Sequence, residues 1–585
     1  MKRTHTCGEL NKEWIGKEVT LSGWVNGNRD HGELTFIDLR DKEGITQLVF
    51  NPQVDKELHW AGKQLRNEYV ISLRGVVSLR PEGTANPKLS TGDIEILVKE
   101  LEVLNKSLVS PFEITDDAKI SEDLRLTYRY LDLRRPLMQK NFRFRHRVSQ
   151  LVRKFLDKQG FIEIETPVLT KSTPEGARDY LVPSRLSPGK FYALPQSPQL
   201  FKQILMVAGV EKYFQIVRCF RDEDLRRDRQ PEHTQIDLEM SFIEPEDIFA
   251  LIEEMISGLF EEMLKIKIKI PFPRISYYEA IDRFGTDRPD MRFEMELVDV
   301  TGIVKKSDFE IFKEVINKGG LVKGVKADGC GDFSIRQLDD LRKFALGLGA
   351  KGLVWFKIGQ DRVSSPVAKF FKPSVIEELS GVMAAKKGDL LLFIADKPPV
   401  VHNYLAELRL HLAGKLNLTA AGKYNFSWII DFPLLEWNEE ENRFQARHHP
   451  FTAPQDEDLS LLFNEPGRVR AKAYDLVLNG VEIGGGSIRI HKPELQKKVF
   501  KALKMDQNRI KEKFGFLLDA LEYGAPPHGG IALGLDRLLM LMLSLPTIRD
   551  VIAFPKTQKA ACLMTGAPDQ VEASQLRELG LTTKR

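Results

Sequence analysis

Across residues 19–103, apolar and polar positions alternate over five short runs, VTLSGWV, ELTFIDLRD, GITQLVF, YVISLRGVV and IEILVKELEVL, separated by turn-rich stretches such as PEGTANPKLSTGD. A period of two predicts strands buried on one face. Five of them, with a helical piece near residues 55–65, predict a small Greek-key barrel of the OB type. Such barrels bind oligonucleotides or oligosaccharides on one face, or serve as structure alone. The pattern then breaks. Residues 106–136 form a polar, Pro-punctuated connector ending in LRLTYRYLDLRRP, either a solvated hinge or a basic contact for a phosphate backbone.

Beyond it, Val148, Leu151, Val152, Phe155 and Leu156 recur at helical spacing, and Gly160 supplies the stop. FIEIETPVLT alternates again, and Pro167 confines it to an edge because proline cannot donate to a ladder. Strands are expected at YFQIVRCFRD and TQIDLEMSF, and a helix over residues 245–264. Residues 287–412 are glycine-punctuated and read as a separate α+β module; the earlier pattern resumes at YNFSWIIDFPLLEWN, so this module interrupts another domain. The expected division is a barrel (1–106), a hinge (107–136), the two parts of a catalytic domain (137–286 and 413–556), the inserted module (287–412) and a C-terminal extension (557–585). The fold class is α+β.

Composition narrows the picture little. Charged residues are 29% and hydrophobic residues 42% of 585, with a net charge of +3, so the chain is expected to be a folded soluble protein whose polyanionic partners are met by local patches. The longest apolar runs, as at residues 538–543, are far shorter than the ~20 residues a membrane span needs. The N-terminus has no apolar targeting core, and Cys7, Cys219, Cys330 and Cys562 lie far apart, which suggests a reducing cytoplasm without disulfides or zinc.

Three segments carry candidate chemistry. In TQIDLEMSF, Gln235, Asp237 and Glu239 alternate with Ile236, Leu238 and Met240, so one face packs and the other lines a site. In KAYDLVLNGVEIGGGSIRI, Asn479-Gly480 signals a two-residue hairpin. Pairing Val477 with Glu482 puts Asp475 opposite Gly484, and Asp475 and Glu482 become diagonal neighbours about 7–8 Å apart, close enough to share a magnesium ion that also carries substrate phosphates. Arg489 would then face the other way, unless the glycines bulge or twist the strand. In HGGIALGLDRLLMLML a glycine-flanked strand enters a buried helix, and Asp536 and Arg537 fall in its first turn, where the N–H groups and a guanidinium make a phosphate site.

FIEIETPVLT, FRDE with its loop to Arg229-Gln230, and GIALGLDRL occur in an order that resembles the three motifs of class II aminoacyl-tRNA synthetases. STPEGARDY, QSPQLFKQ, RHHPFTAP, GVEIGGGSIR, the barrel and the inserted module extend the resemblance to the bacterial-type aspartyl-tRNA synthetases over nearly the whole chain. It implies an OB-fold anticodon domain, an antiparallel catalytic sheet, a GAD-like insertion of the kind also found in Asp-tRNA amidotransferases, and a homodimer. The implied reaction converts L-aspartate and ATP to aspartyl-adenylate and charges tRNA-Asp. Arg221, Glu223 and Arg537 are the implied catalytic residues, contacting the α-phosphate, the adenine side and the γ-phosphate; Asp222, Gln230, Glu482, Gly534, Leu535 and Asp536 complete the ATP site. Arg489 and Lys202 would bind the aspartate side chain, Glu175, Gln199 and Asp237 its ammonium, with Ser197 nearby, and His448 would border the side chain. In the barrel, Phe36 and Gln47 would read the anticodon, and Val49 stands where the family often has an aromatic. His31 and Gly83 occupy positions that go with relaxed discrimination, so tRNA-Asn is an expected second substrate. The alternatives are a strictly discriminating enzyme and an inactive RNA-binding paralogue.

Overall fold

The computed structural model describes residues 2–173, 176–359, 362–420 and 422–582. Near the N-terminus β1 (Glu18–Asp30), β2 (Thr35–Arg40), β3 (Ile45–Phe50), β4 (Val70–Leu79) and β5 (Ile94–Asn105) close into a barrel in the order β1-β2-β3-β5-β4. Its interior is the apolar half of each alternation, including Leu21, Val25, Ile37, Leu39, Leu48, Leu73 and Ile96. The helix Lys56–Lys63 follows β3, its first turn capped by the Asp55 carboxylate.

The arginine-rich connector is neither a solvated hinge nor a free basic strip. It folds into two short helices, Glu122–Thr127 and Arg129–Asp132, and the buried Asp132 carboxylate accepts from Arg125, Arg129 and Arg135. Those three cations share one carboxylate within the connector.

A long helix, Pro136–Lys158, starts well before the apolar repeat that predicted it. After β6 (Ile162–Glu163), the hairpin β7 (Leu181–Pro183) and β8 (Phe191–Ala193), come β9 (Lys212–Phe220), β10 (Glu232–Ser241) and β11 (Arg274–Ser276). The inserted module contributes β12 (Val298–Asp299), β13 (Leu321–Ala327), β14 (Val354–Ile358), β15 (Val363–Ser364) and β16 (Leu390–Asp396), a separate sheet in the order β12-β13-β16-β14-β15 with a hydrophobic core on each face. Then follow β17 (Phe426–Ile430), the small hairpin β18 (Leu435–Asn438) and β19 (Arg443–Ala446), and β20 (Ala473–Leu478), β21 (Val481–Ile488) and β22 (His528–Gly534). An eight-stranded, mostly antiparallel sheet runs β11-β17-β20-β21-β22-β10-β9-β6.

One face of that sheet packs on three helices. Val148, Val152 and Leu156 of the long helix, Ile252 and Ile256 of the helix Pro245–Leu264, and Leu538 and Leu539 of the helix Leu535–Met542 meet Ile236 and Leu238 of β10. The other face carries the polar alternates. β6 is much shorter than FIEIETPVLT suggests: only Ile162 and Glu163 pair with β9, and Pro167 lies outside any strand because it has no donor and restricts the residue before it. Among the described residues no helix is long and apolar enough to cross a membrane, and the four cysteines are buried and not joined in disulfides.

Candidate functional site

The hairpin β20–β21 turns at Asn479 and Gly480, both at positive φ (53° and 81°), as the Asn-Gly pair requires. Val477 pairs with Glu482, but Ile483 is then an extra residue, so Leu476 pairs with Gly484 and Asp475 with Gly485. The expected pairing of Asp475 with Gly484 is therefore corrected by one position. The bulge flips the parity of everything beyond it, which places Gly485, Ser487 and Arg489 on the same face as Asp475 and Glu482. A Cβ at 485 would stand 2.5 Å from Asp475 Oδ1, the end of a side chain that can turn aside, whereas at 486 it would overlap the Gly530 carbonyl oxygen, so glycine is required at 486.

That face forms one wall of a cavity of about 530 Å³, whose lining includes Ser197, Gln199, Lys202, Arg221, Glu223, Gln230, Asp237, His448, Asp475, Glu482, Arg489, Gly534, Asp536 and Arg537. Residues hundreds of positions apart are thus brought together. Most acids lining it have a cationic partner: Glu223 with Arg229, Asp228 with Arg537, Asp536 with Arg145, Asp287 and Glu436 with Arg447, and Asp237 with Lys202. Among the described residues, Asp475 and Glu482 are the lining acids without a Lys or Arg within ion-pair distance; Asp475 Oδ1 has only His448 Nε2, 3.8 Å away. Burial, and next the Asp475 charge, push the Glu482 carboxyl above its ordinary range. Two unpaired carboxylates facing each other fit a hard cation. Because no group of three or more His, Cys, Asp or Glu among the described residues could hold a metal, such a cation would need oxygens from a ligand, as magnesium on phosphates does.

At the inner end, Lys202, Asp237, Glu239 and Arg489 are buried together. Lys202 Nζ lies 3.0 Å from Asp237 Oδ2 and 3.3 Å from Glu239 Oε2. Arg489 donates through Nε and Nη2 to Glu239 (2.9 and 3.1 Å), through Nη2 also to Gly530 O, and through Nη1 to Ser487 Oγ (2.6 Å), with His449 Nε2 at 3.0 Å. The five donors of Arg489 all face protein groups, and Nη1 is the edge held by neutral partners. Burial alone would raise both carboxyls. Arg489 and Lys202 nevertheless hold Glu239 down to about 2, whereas Asp237, with Lys202 opposing burial and Glu239 reinforcing it, is pushed up to about 6. Burial and Arg489 push His449 well below its ordinary value, so it is neutral. Two buried atoms, Asp237 Oδ1 and Gln199 Nε2, have no protein partner. One accepts and one donates, which suits a zwitterion.

At the outer end, Arg221 leaves β9 with Nε near Gln196 O, and Arg537 donates Nη1 to Glu482 O (3.0 Å). His233, given no role from sequence, lines the cavity as a neutral ring, its pKa lowered to about 3 by burial and by Arg221 and Arg537. Of the residues expected at ATP, Gln230 and Asp536 line the cavity while held by protein partners, and Asp222 and Leu535 do not line it. Asp222 pairs by backbone with Arg178 and does not line the cavity. Leu535 is 1% exposed in the core, because it begins a buried helix. The Asp536 carboxylate accepts from Arg145 and from the Thr234 N–H, and the Gln230 carboxamide exchanges bonds with the Lys556 backbone in both directions (3.0 and 2.7 Å). The first ties β10 to the long helix and the second holds the loop after β9. Glu175 lies outside the described residues. Glu239, Asp228, His449 and Ser487 went unassigned from sequence; Glu239 had a signal, its period-two spacing from Asp237.

On the barrel, Phe36 pairs across to Arg29 and to Val49, and Asp38 to Gln47, so these side chains share the outer face. Arg29 Nη2 donates to Asp38 (2.8 Å) and Gln47 (3.3 Å), and Gln47 Nε2 to Glu95 (3.0 Å). His31 meets Phe36 edge-on, with ring centroids 5.6 Å apart. Gly83 is at φ +78°, and a Cβ at that position would meet nothing within 4 Å, so the backbone conformation, not crowding, favours glycine.

Residues 121–558 match the family described as tRNA synthetases class II (D, K and N), and residues 19–104 match the OB-fold nucleic acid binding domain. The chain is 57% identical over 582 residues to a protein of Geotalea uraniireducens named aspartate–tRNA(Asp/Asn) ligase (100% of this chain, 98% of the relative) and 55% identical over 581 residues to one of that name from Syntrophomonas wolfei (99% of each). Among solved structures it resembles asparaginyl-tRNA synthetase from Pyrococcus horikoshii complexed with asparaginyl-adenylate (TM-score 0.60, 22% identity, 95% of this chain and 99% of that one). It also resembles an aspartyl tRNA synthetase from Entamoeba histolytica (TM-score 0.58, 20% identity, 95% and 91%).

Proposed function

The chain belongs to the class II tRNA synthetases of the D, K and N group, and from that premise we propose that it is an aspartate–tRNA ligase that charges both tRNA-Asp and tRNA-Asn. An α-carboxylate oxygen of L-aspartate attacks the α-phosphorus of ATP, the bond to the bridging oxygen breaks and pyrophosphate leaves. A ribose hydroxyl at the tRNA 3′ end then attacks the aspartyl carbonyl and AMP leaves. Neither step needs a protein nucleophile, which agrees with a cavity of paired charges; catalysis is positioning and neutralisation of charge.

The observation that carries this reading is the buried quartet Lys202, Asp237, Glu239 and Arg489 beside the unpartnered Asp237 Oδ1 and Gln199 Nε2. Asp237 accepts the substrate ammonium, and the Nη1 edge of Arg489, exchanging Ser487 and His449 for a carboxylate, receives the aspartate side chain, with Lys202 adding a second positive charge. Asparagine would replace a charged partner with a neutral one and bind more weakly. His448 borders that side chain, and Ser197 the amino end. Arg221 and Arg537 hold the phosphates, with Glu223 and His233 on the base side. Magnesium bound by Asp475 and Glu482 would neutralise phosphate charge on that wall.

The outer face of the barrel supports anticodon reading by Phe36, Gln47, Arg29 and Glu95. The exposed apolar residues Ile162, Val168 and Leu169 at the sheet edge support pairing into a homodimer, and four buried cysteines not joined in disulfides suit a reducing cytoplasm. The test is aspartate-dependent ATP–pyrophosphate exchange with asparagine and lysine as controls, then charging of tRNA-Asp and tRNA-Asn transcripts. Exchange driven equally by all three amino acids would refute the pocket; tRNA-Asn charged hundreds of times more slowly than tRNA-Asp would leave a strictly discriminating enzyme.

A further inference from the structure

Arg447 lies on the cavity wall beside the two unpaired carboxylates and has no part in the two-step reaction. Its guanidinium donates Nη1 to Glu436 Oε2 and Nη2 to Asp287 Oδ2, each at 2.8 Å, and sits over the Tyr277 ring 4.7 Å from its centroid. Four separate stretches converge there: Glu436 from β18, Asp287 from the segment entering the inserted module, Tyr277 from the start of the helix Tyr277–Phe284, and Arg447 next to His448. Asp287 and Glu436 line the same cavity as Asp475 and Glu482. Without Arg447, this wall would carry four negative charges toward a polyanionic nucleotide; with it, three, Asp287 and Glu436 sharing the one guanidinium.

We propose that Arg447 is a positioning residue for the nucleotide: by engaging both Asp287 and Glu436 it lowers the net negative charge of the wall around the Asp475–Glu482 pair, so that ATP with its divalent cation is admitted there. The inference rests on the ATP-dependent reading of the site but not on which amino acid or tRNA is used. It is an electrostatic role, distinct from pinning the fold. Lysine at 447 would keep it in part, and so would neutralising the two acids when the arginine is lost.

The test is equilibrium binding of ATP by calorimetry across a magnesium titration, with thermal melting of each variant. Arg447→Met is expected to weaken ATP binding about tenfold at low millimolar magnesium and to recover as magnesium rises. The triple variant Asp287→Asn/Glu436→Gln/Arg447→Met is expected to bind ATP at least as tightly as the unaltered protein, since its wall carries one negative charge fewer, and Arg447→Lys within about threefold, because charge and not the fork is what matters. ATP binding by the triple variant as weak as that of Arg447→Met, or unchanged binding by Arg447→Met at every magnesium concentration, would overturn the proposal. If Arg447→Met does not fold, the triple variant and Arg447→Lys decide. Absence of aspartate-dependent exchange in the unaltered protein would instead sink the functional reading and leave these binding comparisons intact.

Discussion

Two polar networks in this protein use the same chemistry at opposite depths. In the cavity, the side chains of Lys202, Asp237, Glu239 and Arg489 are at most 2% exposed. On the barrel, Arg29 is 49% and its partner Asp38 17% exposed. Buried, each charge is fixed by its partners and unscreened, so the site can select a small ion by its charge and the placement of its groups. At the surface the same pairs are weak and exchange readily with water, which suits a face that must rearrange around a large polyanion. Specificity for the small substrate is built in before binding; specificity for the RNA is assembled on contact.

The largest expected effect breaks the buried network. Arg489→Leu should cut aspartate activation by roughly 10³-fold or more, since it removes a charge made for the substrate. It also leaves Glu239 with Lys202 as its remaining cation, at a cost of up to about 3–5 kcal/mol. Adding Glu239→Gln should restore the melting temperature but not exchange activity; unchanged activation in Arg489→Leu would refute the pocket assignment.

Next comes acid. Asp237 must be ionised to accept the substrate ammonium, and chiefly burial raises its pKa to about 6. kcat/KM for aspartate in exchange should therefore fall about tenfold per pH unit below that value. The stability effect has the opposite sign. Between the ordinary carboxyl value of 3.8 and about 6, the folded form holds the proton more tightly than the unfolded chain, so on acidification this group favours folding. Activity lost near pH 6 without a drop in melting temperature is the expected signature; an acid limb that tracks unfolding would contradict it.

The barrel should respond differently. Gln47→Ala is expected to raise KM for tRNA roughly tenfold and to leave amino-acid-dependent exchange unchanged, because the lost bonds are to a base edge. An equal loss in both assays would mean that the two networks do not act separately. His31→Ala, which removes an exposed ring resting on Phe36, should shift the ratio of tRNA-Asp to tRNA-Asn charging only a few-fold. Competition between the two transcripts measures it.

Much of the fold was legible because its signals are local. Period-two alternation marked the five barrel strands, Asn479-Gly480 marked the hairpin, and the helix Pro245–Leu264 was read to the residue. The site was legible as residue types: Asp475 and Glu482 were paired from hairpin geometry alone. What failed was register. The glycines signalled that a bulge or twist was needed for Arg489 to reach the site but not where; the single extra residue, Ile483, moved Asp475 from Gly484 to Gly485 and turned Arg489 into the cavity. The arginine-rich connector misled for a related reason, since its basic look gave no hint that Asp132 would gather three of its arginines.

The sequence by itself determined the elements, their order, the interruption by a second α+β module and the chemical types available to the site, because hydrophobic periodicity and turn preferences act over a few residues. Only the tertiary structure decided which charges are free. Glu239 meets Arg489 across 250 residues and Arg145 meets Asp536 across 391. A charge acts through its nearest partner and the water excluded around it, and both are properties of packing, which no local window of sequence contains.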